Sequence, residues 1–139
     1  MGNHYKKRFL PADKQILSMR SEYPQFIAKK HGGDVEFIGE LTVKSEFPTY
    51  KVSILYRGDK SPRVRILSPK LVEKPPHFYY LTNSLCLFKP KNYKWYKNRL
   101  ISKDIVSWTA GWIYFYETWL EKGKWLGPEA IHDTDKKEE

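Results

Sequence analysis

The sequence is poor in thiols: its 139 residues hold one cysteine, Cys86. A single thiol excludes an internal disulfide framework and any multi-cysteine zinc site. Long apolar runs are also missing, and none reaches the roughly 18 residues that a membrane-spanning helix needs. The first residues, Met1 to Lys7, lead into no apolar stretch of a secretory signal, and Lys6 stands where a myristoylation site needs Ser or Thr. A cytoplasmic protein with no membrane attachment is the expectation. The histidines His4, His31, His77 and His132 are scattered without ligand spacing, so neither a metal nor another cofactor is expected. There is no P-loop or dinucleotide-type glycine motif, no internal repeat and no low-complexity block.

Aromatic residues, by contrast, are plentiful. Five Trp and ten Tyr, in a chain that is 40% hydrophobic, supply one core and exclude global disorder. The length fits a single domain over residues 1–139, with a frayed polar tail at about 133–139. The net charge of +9 points to an acidic partner surface or to nucleic acid.

Local pattern gives the order of elements. Pro11-Ala12-Asp13 opens a helix that Ile16, Leu17 and Met19-Arg20 continue and Tyr23-Pro24 halts. After Gly32-Gly33, the residues Val35, Phe37, Gly39 and Leu41 alternate with Glu36, Ile38, Glu40 and Thr42, as in a strand. Tyr50–Tyr56 forms a second strand, Arg57-Gly58-Asp59 a turn, and Arg63–Leu67 a third strand, which makes an antiparallel meander. Pro69, Pro75, Pro76 and Pro90 punctuate an irregular stretch. Trp108, Trp112, Tyr116 and Trp119 then fall on one face of a helix, with Ser107 as its N-cap and Gly123 just past its end. The fold class is α+β: a meander packed against an N-terminal helix and C-terminal helices.

Three residues of the irregular stretch could carry chemistry. Cys86 is the nucleophile candidate, because a thiol near neutral pH already supplies some thiolate. Asn83 offers an amide donor for an oxyanion, and His77 offers an imidazole. Read alone, Cys86 is more readily a small buried hydrophobe, the usual fate of a lone cysteine. The Trp108–Trp119 stripe could cover the sheet or stack bases of a single strand. Lys89, Lys91, Lys94 and Lys97, interleaved with Tyr93, Trp95 and Tyr96, form the best basic-aromatic cluster, suited to nucleic acid or to a protein partner. Glu117 reads either as a partnered acid or as a rim residue.

These same residues carry a family resemblance. His77 through Cys86-Leu87, then Trp95, then Leu100-Ile101-Ser102-Lys103, resembles the active-site stretch of ubiquitin-conjugating enzymes. Leu85-Cys86-Leu87-Phe88, Ile105-Val106-Ser107-Trp108-Thr109, Tyr116-Glu117-Thr118-Trp119-Leu120 and Gly123-Lys124-Trp125-Leu126-Gly127 are similar to the compact prokaryotic branch found in anti-phage operons, the stand-alone conjugating type of type II CBASS. The likeness covers about residues 63–132, and Leu10-Pro11-Ala12 fits it too.

The resemblance implies a ubiquitin-conjugating-like fold and an acyl carrier. Cys86 would take the C terminus of a partner, a cGAS-like nucleotidyltransferase (CD-NTase), as a thioester and pass it to a lysine of a target protein. The chain has no room for an adenylation domain, and Lys136-Lys137-Glu138-Glu139 is unlike the diglycine-like end of a modifier. One departure stands out. Eukaryotic members place His-Pro-Asn ahead of the cysteine, whereas His77 is followed by Phe78-Tyr79, so Asn83 or a main-chain N–H would serve the oxyanion. A catalytically silent docking scaffold of the same fold and a basic single-strand binder are the alternatives.

Overall fold

The computed structural model describes residues 9–88 and 99–127. The basic-aromatic cluster at residues 89–97, with Trp95, and the polar tail lie outside them.

Helix α1 spans Ala12–Glu22 and is followed by strands β1 (Ile27–His31), β2 (Asp34–Leu41), β3 (Tyr50–Arg57) and β4 (Lys60–Ser68). These pair in chain order as one four-stranded antiparallel sheet. Two of its connections are two-residue hairpins, Gly32-Gly33 and Gly58-Asp59, and each begins with a glycine at positive φ. Such a turn follows the twist of the strands, and its first residue favours glycine. The expected meander is present, with one strand more than the alternation predicts. Strand β1 is an exposed edge whose Ile27, Lys29 and Lys30 face solvent, so it carries no period-two signal.

One face of the sheet is the core. Val35, Phe37 and Leu41 of β2 pair with Tyr56, Ile54 and Tyr50 of β3, and all are buried. Gly39 completes this face for a steric reason. A Cβ there would sit 2.9 Å from the Cα of Phe26 and 2.7 Å from its ring. Met19 of α1 and the Ile101, Ile105 and Ile113 side chains close the core from the helical side.

The C-terminal helix begins earlier than its sequence pattern suggests. A π-helical turn over Ile101–Ile105 leads directly into α2, Val106–Lys122. Ser107 therefore lies inside the helical run instead of capping it, and its Oγ donates to the Lys103 carbonyl at 3.2 Å. The start is satisfied from a distance. Gln15, fully buried on α1, accepts from Ile101 N–H at 3.0 Å and donates to the Arg99 carbonyl at 2.9 Å. Ser18 and Ser102 add a hydroxyl contact at 2.6 Å. Gly123 ends α2 as expected, with φ +75 and its N–H on the Trp119 carbonyl at 2.8 Å. Glu117 is partnered, accepting a hydrogen bond from Tyr50 of β3.

Candidate active site

Between β4 and α2 lies a short hairpin of strands β5 (Phe78-Tyr79) and β6 (Ser84-Leu85), paired Phe78 to Leu85 and Tyr79 to Ser84. Each strand is two residues long, too short for any periodicity in the sequence. Arg65 of β4 fastens the hairpin's turn through Nε and a guanidinium nitrogen to the Thr82 carbonyl, at 3.1 and 3.0 Å. Asn83 closes the turn at φ +57, a left-handed conformation that asparagine tolerates better than most residues. Asn83 is exposed there.

Cys86 is the next residue after β6, and the ladder runs one step further to hold it. Its main-chain N–H donates to the His77 carbonyl at 2.9 Å. The same carbonyl accepts from the Trp112 indole Nε1–H of α2, also at 2.9 Å. One oxygen with two lone pairs thus ties the cysteine segment to the long helix. His77 itself has φ +52, which turns the chain into β5.

A cavity of about 250 Å³ opens beside the thiol, bordered by His77, Cys86, Trp108, Gly111, Trp112 and Trp125. Trp125 reaches it because Gly123 reverses the chain after α2. Its ring lies 4.6 Å from the His77 imidazole at a 34° tilt and 5.8 Å from Trp112. The returning segment hugs α2 closely. A Cβ on Gly127 would come within 2.5 Å of the Phe115 ring. Cys86 is 5% exposed, so its side chain meets the outside chiefly through this cavity.

The structure therefore brings Cys86 and His77 together, while Asn83, in the turn of the hairpin, is not among the described residues that line the cavity. Sequence reasoning missed three contributors. Trp112 sits on the predicted apolar stripe, which gave no hint of a second duty on the His77 carbonyl. Trp125 lies in a recognised block with no assigned role. Gly111 offered only the oddity of a glycine within a helix.

The Trp face also bears on nucleic-acid binding. Trp112 and Tyr116 are each 3% exposed and stack on one another at 5.1 Å. Rings so placed cannot receive a base, whereas Trp108 and Trp119 of the same stripe are half-buried. Among the described residues, no helix is long and apolar enough to cross a membrane.

No curated protein matches the chain significantly. A family model described as type II CBASS E2 protein matches residues 15–133, from α1 past the Trp125 segment and so across the whole site. The antiparallel sheet with its flanking helices is consistent with that fold. The chain belongs to the type II CBASS E2 protein family, and its role is a conjugation-related one in that system.

Proposed function

We propose that Cys86 carries an acyl group as a thioester and passes it to an amine. The observation that supports this most directly is the aromatic-walled cavity, which gives the Cys86 side chain room for a bonded group. The thiolate attacks the activated C terminus of a partner, for which a cGAS-like nucleotidyltransferase (CD-NTase) is the candidate. The activating group leaves and Sγ bears the acyl chain. A lysine amine of the target then attacks the thioester carbonyl, loses a proton and expels the Cys86 thiolate. The chain contributes mainly orientation. His77 holds the cysteine main chain through its carbonyl and walls the cavity with its ring. Asn83 is the candidate side-chain donor to the oxyanion and supports the hairpin turn. The reaction takes place in the cytoplasm.

The test is intact mass under non-reducing conditions after co-expression with the nucleotidyltransferase and an activating protein. A thiol-sensitive adduct is expected on the wild type and absent in Cys86→Ala, and Cys86→Lys should hold the acyl group as a stable amide. Conjugation at full rate in Cys86→Ala would refute the proposal. The low exposure of Cys86 favours a second reading, a docking scaffold with an inert thiol. Rapid alkylation of Cys86 in the folded protein would eliminate it.

A further inference from the structure

Where β3 and β4 meet the β5–β6 hairpin, a second pocket is bordered by Arg57, Ser61, Arg63, Thr82 and Ser84. The chemistry proposed for Cys86 uses none of these five. The described lining holds two arginines and no Asp or Glu. Its volume of about 30 Å³ takes one small polar group, with any remainder of a ligand left outside.

The main chain around the pocket is already paired. Arg57 donates from Nε to the Ser61 carbonyl at 2.9 Å, and a second guanidinium nitrogen donates to the same oxygen. Arg65 holds the Thr82 carbonyl in the same two-pronged way. The two carbonyl oxygens that would repel an anion are thus each turned to a guanidinium.

Arg63 is the exception. It stands opposite Leu55 on the sheet face away from the core, half-buried, with no hydrogen-bond or ion-pair partner among the described residues. A guanidinium that has given up water without gaining a partner is costly, and a bound anion offsets that cost. Ser84 is 3% exposed, and its Oγ lies 2.6 Å from Thr82 Oγ1. Two hydroxyls carry two hydrogens and share one bond. The second hydrogen has no other acceptor among the described residues.

A carboxylate presents two oxygens in one plane, which a single guanidinium satisfies. Here the donors come from three directions: Arg57 on β3, Arg63 on β4 and the hydroxyl pair on the hairpin. Such a set surrounds a tetrahedral group, and two positive charges suit its dianion.

We infer that this pocket binds a phosphate group, either free or at the end of a small ester such as a nucleoside monophosphate. Arg57 and Arg63 balance its charge, and the Thr82–Ser84 pair donates from the hairpin. The site is independent of any acyl group on Cys86.

Calorimetric titration of the full chain with inorganic phosphate and with adenosine monophosphate, at constant ionic strength, tests this. Saturable one-to-one binding is expected for both, and the tighter of the two identifies the free ion or the ester. Arg63→Gln removes a hydrogen bond to a charged group and should weaken binding about tenfold or more. Ser84→Ala should weaken it several-fold. Lys51→Gln removes an equal charge from an exposed position of β3 and should have little effect. Without phosphate, Arg63→Gln should melt no lower than wild type, because the cation it removes is unpaired. Saturating phosphate should raise the melting temperature of wild type and leave that of Arg63→Gln nearly unmoved. Equal losses in Lys51→Gln and Arg63→Gln would reduce the effect to diffuse attraction by the net charge and overturn the inference. Acetate binding as tightly as phosphate would assign the pocket to a carboxylate and overturn it too, as would titrations that never saturate.

Discussion

The main-chain N–H of Cys86 meets the carbonyl oxygen of His77 at 2.9 Å, and this bond carries the hairpin one residue beyond its strands. The cysteine is thereby positioned through main-chain atoms, in register with β5, and the Trp112 indole anchors the same oxygen to α2. Side-chain chemistry at residue 77 is separable from that geometry.

Trp112→Phe removes the indole donor and part of the cavity wall. The lost hydrogen bond is worth about 1 kcal/mol, and with the smaller ring the stability should fall by about 1–3 kcal/mol. Urea denaturation reads this. Thioester loading, measured where both proteins are folded, should slow several-fold because the His77 carbonyl loses its tie to the helix.

Asn83 combines a backbone requirement with the proposed donor group, and two substitutions divide them. Asn83→Ala should destabilise by about 1 kcal/mol, since alanine resists the left-handed φ, whereas Asn83→Gly should lose less. Thermal melts compare the pair. Glycine keeps the turn without the carboxamide, so slow loading in Asn83→Gly assigns the oxyanion to the side chain, and normal loading assigns Asn83 to the turn.

Gln15→Leu should destabilise by about 2–4 kcal/mol. It leaves the Ile101 N–H and the Arg99 carbonyl without their buried partner, at about 1–3 kcal/mol for each group. The urea midpoint is expected to fall with an unchanged slope. An unaltered midpoint would show that α1 does not hold the start of the C-terminal helix.

The alkaline limb of stability follows from three tyrosines. Burial raises the pKa values of Tyr50, Tyr56 and Tyr116 above the usual 10.0, and at Tyr50 the hydrogen bond and negative charge of Glu117 add to the effect. The folded state keeps these protons when the unfolded chain has begun to release them. Their contribution is thus fully present below about pH 10 and is lost as pH rises through the folded values. The tyrosinate absorbance of these three should appear only as the fold is lost. Tyr50→Phe should remove part of this slope.

Much of the sheet was legible because β2 and β3 each bury alternate residues, a pattern that stands out in sequence. Strand β1 was not, since a solvent-facing edge needs no apolar alternation. Local rules also failed at the start of the C-terminal helix. Ser107 looks like a cap to its neighbours, but the partner that satisfies Ile101 lies on α1, far away in the chain. Of the candidate site, the cysteine and the histidine were legible as residue types. Their meeting was not, because it depends on a main-chain bond and on a tryptophan that returns after Gly123. The cavity itself was invisible, as empty space has no letter in a sequence other than an unexplained glycine.

Three of the five tryptophans border the chamber beside Cys86. Indole emission is sensitive to nearby sulfur, to carbonyl groups and to water. The protein accordingly carries an intrinsic optical reporter beside its one thiol: an acyl chain arriving on Cys86, as proposed, is expected to change the brightness and colour of its own fluorescence, which would let loading and discharge be followed in real time without a label.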